Sequence, residues 1–230
     1  APNLWRETLD QVGEACADGL EVTAQVGSRP IGMLMGLEAT TNPFTSHPLW
    51  QEMAGLSPRE RFRRLQAEPE LRRRLVEERP DDEHVQWMDQ VLRRTFELDD
   101  SVDYEPGPEL SIAAKAKVQG RDPFDLALEL LMGNDGQTLL LHPFENYCAG
   151  DLEVVKEMLE DPNPVCGVAD AGAHVGIICD ASSPTSLLTH WGRDRSRGDK
   201  LPLEFLVRKQ TSDTARAYGL LDRGIIAPGY

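Results

Sequence analysis

The sequence contains no apolar run of about 18 residues, the length that a membrane-spanning helix requires, which excludes an integral helical membrane protein. Positive charge is also scarce, because 24 Lys and Arg stand against 39 Asp and Glu for a net charge of −15. Nucleic acid binding depends mainly on cationic contacts with phosphate. We therefore expect no nucleic acid partner and no membrane partner.

Short cysteine motifs are absent as well. The four cysteines (Cys16, Cys148, Cys166 and Cys179) contain no CxxC pair. Such isolated cysteines in a chain of this size are typical of reduced thiols in a cytoplasmic protein. The first residues lack both the basic and the apolar region of a secretory signal, so we predict no signal peptide.

What is present indicates a globular chain. The 230 residues are 40% hydrophobic and 27% charged, which favours a single folded domain over residues 1–230. Short β-forming segments at Glu21–Val26, Thr138–Leu141 and Val165–Ala169 are separated by helical sequence. This alternation predicts the α/β class with parallel strands.

Several helices are indicated by their start signals. Ser57-Pro58-Arg59-Glu60 is a capping box with proline at the first helical position. Ser111 and Asp122 likewise stand where a helix would begin. The predicted helices are residues 4–17, 58–67, 69–78, 82–95, 111–119, 123–132, 152–159, 202–210 and 212–218.

Reactive groups of parallel α/β folds gather where strands end. Arg29, His142 and Asp170 follow the three predicted strands. Asp170 is followed by the small residues Ala-Gly-Ala and then by His174, so a carboxylate here can bind a metal or transfer a proton from water. Structural alternatives remain: Arg29 can pair with a neighbouring carboxylate, and each histidine can be a hydrogen-bonded core or loop residue.

The segment Val168-Ala169-Asp170-Ala171-Gly172-Ala173-His174 resembles the eighth-strand segment of the amidohydrolase superfamily, in the branch of the N-acyl-D-amino-acid deacylases (D-aminoacylases). The order Glu145-Asn146-Tyr147, Asp151–Val155, Asp161-Pro162 before it and the tail Arg223–Tyr230 after it are similar to the same branch. Gly27-Ser28-Arg29-Pro30 would occupy the loop after the sixth strand. The resemblance is thin from Pro43 to Leu110.

The resemblance implies a hydrolase of linear amide C–N bonds with a (β/α)8 TIM barrel, of which this chain would supply about the last three βα units. Residues 43–110 would be a helical insertion or lid. One or two zinc ions would activate the attacking water, with Asp170 as metal ligand and catalytic group. Arg29, Asn146 and His174 would bind the substrate, an N-acyl amino acid or a similar small amide.

The sequence departs from this family in its histidines. The superfamily carries a His-x-His pair on its first strand, and the five histidines here contain no such pair. We therefore expect this chain to lack the complete metal cage and to be inactive in isolation, since catalytic zinc takes about three protein ligands. Exposed strand edges would favour a homo-oligomer or association with a missing N-terminal part.

Two other functions remain open at this point. One is a non-catalytic interaction module derived from a barrel. The other is a metal-free TIM-barrel hydrolase that uses Asp170 together with His174.

Overall fold

The structure, a computed structural model, describes residues 3–98, 102–169, 175–178 and 180–230. Helices and short strands alternate along these residues, which confirms the α/β class. In chain order the elements are α1 (Leu4–Ala17), β1 (Ala24–Gly27), β2 (Ile31–Met35), α2 (Pro48–Gln51), α3 (Pro58–Ala67), α4 (Pro69–Glu77), α5 (Glu83–Leu92), β3 (Phe96–Leu98), α6 (Ile112–Gln119), α7 (Pro123–Leu131), β4 (Leu139–Glu145), α8 (Glu153–Glu160), β5 (Pro164–Gly167), α9 (Ser183–Thr189), α10 (Leu203–Arg208) and α11 (Thr214–Ala217).

The chain divides into two compact units. The described part of the first unit lies within Ala1–Ile31, Glu145–Ala173 and Asp180–Tyr230. The described part of the second unit lies within Gly32–Phe144 and His174–Cys179. Helices α2–α5 fall in the second unit, and the assignment of residues 43–110 as an insertion or lid of a single domain stays a prediction.

The first unit contains a parallel pair of strands. β1 pairs with β5 from Ala24↔Pro164 to Gly27↔Gly167, so the carboxyl ends of both strands lie side by side. The predicted strand began three residues earlier, at Glu21. The ladder starts at Ala24 because its partner β5 only begins at Pro164, after the turn at Asp161–Asn163.

The second unit contains a three-stranded sheet in the order β2-β4-β3. β4 pairs antiparallel with β3, from Phe96↔Leu141 to Leu98↔Leu139. The predicted strand at Thr138–Leu141 is therefore present as part of β4. Its pairing with β3 is antiparallel, whereas the sequence predicted parallel strands. β2 and β3 were not predicted.

A hydrophobic core fills the second unit. Side chains from its helices and from β4 are buried together, and their apolar area provides the main favourable free energy of folding for this unit. The core residues are Met35, Leu37, Phe44, Trp50, Met53, Leu65, Leu71, Leu75, Met88, Val91, Leu92, Ile112, Ala116, Phe124, Leu126, Ala127, Leu128, Leu131 and Leu140.

The predicted helix starts are confirmed at three caps. The Ser57 hydroxyl accepts from the Glu60 backbone N–H, and the Glu60 carboxylate accepts from the Ser57 backbone N–H, which completes the capping box of α3. Ser111 caps α6 and Asp122 caps α7 in the same manner, through a side-chain oxygen and a backbone N–H.

The partial (β/α)8 barrel remains a prediction. Two small sheets flanked by helices are compatible with an arc of such a barrel. Among the described helices, none is long and apolar enough to cross a membrane.

Candidate functional site

The candidate site lies where β1 and β5 end, in the first unit. Ser28 and Arg29 follow β1, while Val168 and Ala169 follow β5. Val168 has a φ of 61°, a left-handed conformation that a β-branched residue rarely adopts. Strained backbone of this kind is concentrated at functional sites, and here it immediately precedes the segment that contains Asp170.

Arg29 is held in a buried ion pair. Its Nη2 donates to Asp180 Oδ1 at 3.1 Å and its Nε donates to Ser183 Oγ at 3.1 Å. The two charged side chains are only 8% and 11% exposed. The pair fixes the guanidinium at the end of β1, and the predicted role of Arg29 in binding substrate stays a prediction.

The loop after β1 is also held through its backbone. Trp191 Nε1 donates to the Ser28 carbonyl at 2.6 Å, and the indole is fully buried. The Ser28 hydroxyl in turn donates to the Ser183 carbonyl at 3.3 Å. Ser28 is therefore held through its carbonyl by Trp191 and through its hydroxyl by Ser183, the first residue of α9.

Asn146 directly follows β4 and contacts the loop after β1. Its φ is 62°, and its Nδ2 donates to the carbonyls of Gly27 at 3.2 Å and Arg29 at 3.4 Å. The structure thus brings two of the predicted site residues together, through the Asn146 side chain and the Arg29 backbone. Whether the Asn146 amide also contacts an acyl group stays a prediction.

Asp170 and His174 lie outside the described residues. Their predicted roles, Asp170 as catalytic group and metal ligand and His174 in substrate binding, are therefore untested predictions. Ala169, the last described residue before Asp170, is exposed.

A cavity of about 220 Å³ opens beside these strand ends. Ser28, Ser183 and Leu187 are its buried residues, and Ala169 and Pro184 are its exposed ones. The described residues that line it are Ser28, Cys166, Gly167, Ala169, Ser183, Pro184, Leu187, Gln210 and Thr214.

Burial shifts the pKa of two titratable groups near the cavity. Desolvation raises the pKa of the Cys166 thiol to about 11, an effect that the positive charge of Lys209 partly opposes. Desolvation also lowers the pKa of Lys209, whose Nζ donates to the carbonyls of Asp161 and Pro164, both at 2.9 Å. Cys166 is consequently a neutral thiol near neutral pH, and Lys209 anchors the start of β5.

The predicted zinc site is not supplied by the described residues. Within the ranges 3–98, 102–169, 175–178 and 180–230, no group of three or more His, Cys, Asp or Glu side chains is arranged to hold a metal ion. These residues therefore do not fit the one or two zinc ions that the resemblance implies, and we derive no chemical step through a metal.

The sequence did not reveal Asp180, Ser183, Trp191 or Lys209 as parts of this region. Ser182-Ser183-Pro184 does contain the local signal for a helix start, and α9 begins there. The pairing of Arg29 with Asp180 has no such signal, because it joins residues 151 positions apart.

A comparison with protein-family models finds a match on this chain. The model described as the amidohydrolase family matches residues 76–230, about two thirds of the chain. The matched range includes Asn146, Asp170 and the whole of β5, but not Arg29. Searches of curated proteins and of solved structures find no significant match.

Proposed function

This chain belongs to the amidohydrolase family, and we propose that it takes part in the hydrolysis of linear amide C–N bonds of the kind found in N-acyl-D-amino acids. The D-aminoacylase subtype rests on the resemblance around Val168–His174 and Glu145-Asn146-Tyr147. The family match supports a hydrolase in general. The N-acyl-D-amino acid substrate is the more specific part of the proposal.

The parallel pairing of β1 with β5 is the structural observation that supports this proposal. The parallel register of β1 and β5 brings the segment that leads into Asp170 beside the loop that contains Arg29. Parallel α/β enzymes build their active sites from the loops at this end of the strands. The arrangement supports a common site for residues that lie far apart in the sequence.

In the proposed reaction, water attacks the amide carbonyl carbon and the C–N bond breaks. Asp170 takes a proton from the attacking water and then transfers it to the leaving nitrogen, so that a carboxylic acid and an amine are released. His174 would contribute to the binding of the substrate. Zinc would be bound in the complete enzyme, with Asp170 as one ligand, but the steps assigned here are those of the chain's own groups.

Arg29 and Asn146 are proposed to bind different parts of the substrate. Arg29 would bind the carboxylate of the N-acyl amino acid, because a guanidinium matches the geometry of a carboxylate. Asn146 would contact the acyl part. Both side chains are already oriented by the contacts described above, which favours precise positioning of the substrate.

The partner proposal concerns the edges of the sheet. Within the described ranges, β1 and β5 pair only with each other. Unpaired strand edges favour association with further strands, so we propose that a second copy of the chain or an additional segment of the same polypeptide covers them. Light scattering that shows a monodisperse monomer for the 230-residue chain on its own would contradict this.

The hydrolase proposal is tested with the protein expressed from its complete reading frame. Release of amine from N-acetyl-D- and N-acetyl-L-amino acids is measured for the wild type, for Asp170→Asn and for a control, Asp222→Asn. Asp222 is paired with its exposed neighbour Arg223. Removal of a general acid or base is expected to reduce kcat by roughly 10²- to 10⁴-fold.

Folding of both variants is checked by circular dichroism. Full activity of Asp170→Asn would remove Asp170 from the mechanism. Absence of turnover on every acylated amino acid, with metal analysis showing a loaded protein, would reject the hydrolase proposal itself.

A further inference from the structure

The cavity beside the ends of β1 and β5 differs from the rest of this acidic molecule. The chain has a net charge of −15, yet none of the nine described residues that line the cavity is an Asp, Glu, Lys or Arg. An occupant with a free carboxylate or ammonium group would have no opposite charge in this lining, so a neutral occupant is favoured.

The polar side chains of the lining are already engaged with the protein. The Ser28 hydroxyl donates to the Ser183 carbonyl at 3.3 Å, and the Thr214 hydroxyl donates to the Lys209 carbonyl at 2.9 Å. Gln210 Nε2 donates to the Pro184 carbonyl at 2.7 Å. With these donors directed at backbone oxygens, the cavity presents mainly carbon and sulfur to an occupant.

The Cys166 thiol adds to this apolar character. Burial raises its pKa to about 11, so the sulfur is protonated and uncharged in the neutral pH range. A neutral thiol behaves as a small hydrophobic group. Together with Leu187, Pro184 and Ala169 it completes an apolar wall.

The size and place of the cavity limit the occupant further. A volume of about 220 Å³ corresponds to roughly seven water volumes of about 30 Å³ each, enough for a chain of about six carbon atoms. Ala169 and Ser28 line the cavity, and each is followed directly in sequence by a predicted site residue, Asp170 and Arg29 respectively.

We propose that this cavity is the acyl subsite of the amidohydrolase and accepts an unbranched acyl chain of up to about six carbons. This inference rests on the proposed function, and it deepens that function by naming the acyl class. The substrate carboxylate is assigned to Arg29, outside the uncharged cavity, while the acyl chain lies against Cys166 and Leu187.

The first experiment measures binding without turnover. Dissociation constants of acetamide, butanamide and hexanamide are measured by NMR titration for the wild type, for Cys166→Met and for the matched control Cys16→Met. Cys16 lies on α1, and its sulfur donates to the Val22 carbonyl away from the cavity lining. Each buried methylene is expected to improve affinity by up to about fourfold, so hexanamide should bind at least about tenfold more tightly than acetamide.

Cys166→Met extends a side chain into the cavity and is expected to abolish most of this gain while leaving acetamide binding unchanged. Cys16→Met is expected to retain the full gain. If Cys166→Met fails to fold, Leu187→Val provides the opposite test, because it enlarges the cavity and should extend the preferred chain by about one carbon. Affinity that does not depend on chain length, or a dependence that neither cavity variant changes, would overturn the proposal.

The second experiment separates the two proposals. The ratio of kcat/KM for N-hexanoyl and N-acetyl-D-amino acids is measured for the same proteins, with an expected fall of tenfold or more in Cys166→Met. Length-dependent amide binding without any hydrolysis would support binding of an unbranched chain in the cavity and would reject the hydrolase function. Hydrolysis with a ratio that Cys166→Met leaves unchanged would reject the acyl subsite alone.

Discussion

The two units differ in how many positively charged side chains their described residues bury. The second unit is built around a continuous apolar cluster of leucines, methionines and aromatic residues. The first unit also buries apolar residues, but it adds the cations Arg29, Arg195 and Lys209, of which Arg29 pairs with the buried Asp180. An apolar core tolerates approximate packing, whereas a buried charge requires a specific partner in a specific place.

This difference indicates a division of roles. Apolar burial is the main source of stability in the second unit. In the first unit, Asp180 and Ser183 hold Arg29, and two backbone carbonyls hold Lys209 at the start of β5. The unit with the parallel strand pair therefore has the preorganised side chains that an active site requires.

The largest expected effect comes from breaking the buried pair of the first unit. Asp180→Ala removes the carboxylate that pairs with the Arg29 guanidinium. Because both side chains are almost fully buried, we expect the unfolding free energy to fall by about 3–5 kcal/mol. Urea denaturation followed by tryptophan fluorescence measures it. Asp222→Ala breaks an exposed pair and should leave the denaturation midpoint close to that of the wild type.

The double variant Arg29→Met/Asp180→Leu sharpens this result. Removal of both charges should cost less than the sum of the single losses, because neither variant side chain leaves a buried charge behind. Additive losses would show that the pair is not the source of the effect.

The second unit should respond most to loss of apolar volume. Leu131 is fully buried in α7, and Leu131→Ala is expected to lower the unfolding free energy by about 2–5 kcal/mol. Val118→Ala, on the exposed face of α6, is the control and should change stability by less than about 0.5 kcal/mol. A similar loss in both variants would contradict the assignment of this cluster as the core.

A smaller effect is expected at the start of α3. Ser57→Ala removes the hydroxyl that accepts from the Glu60 backbone N–H, which should cost about 1 kcal/mol. Ser57→Asn retains a side-chain acceptor at the cap and should recover most of that loss. Equal stability of the two variants in urea denaturation would show that the capping box adds nothing here.

The capping box also shows which features can be predicted from the sequence. Ser57 and Glu60 are three residues apart, so the start of α3 is encoded locally, as are the caps at Ser111 and Asp122. Strand pairing is not local. The partner of Phe96 is Leu141, and a three-residue strand such as β3 has too little pattern to reveal it.

The candidate site also combines features that are local in the sequence with contacts between distant residues. Small residues after a β-forming segment single out Asp170 from local sequence, and the strand before it is present as β5. The contacts that orient Arg29 come from Asp180 and Ser183, which only the folded chain brings to it. The cavity is likewise formed by segments distant in sequence, so its described lining cannot be recognised in the sequence alone.

The smallest effect concerns the pH dependence of the second unit. Burial lowers the pKa of His142, and the charge of Arg94 lowers it further. The unfolded chain therefore binds more protons than the folded chain as pH falls through about 6.5, and the unfolding free energy decreases in that range. The His142 Nδ1 lies 3.3 Å from Thr95 Oγ1, whose hydroxyl donates to the Val91 carbonyl, so this hydroxyl can accept from a neutral imidazole with its proton on Nδ1.

Urea denaturation at several pH values between 7.5 and 5.5 measures this slope in the wild type and in His142→Gln. The variant has no imidazole to protonate, so its stability should fall less steeply as the pH is lowered. His47 contributes in the same direction, since desolvation lowers its pKa too, and His142→Gln should retain that part of the slope. A variant as steep as the wild type would show that His142 is protonated as readily in the folded chain as in the unfolded one, despite its burial beside Thr95.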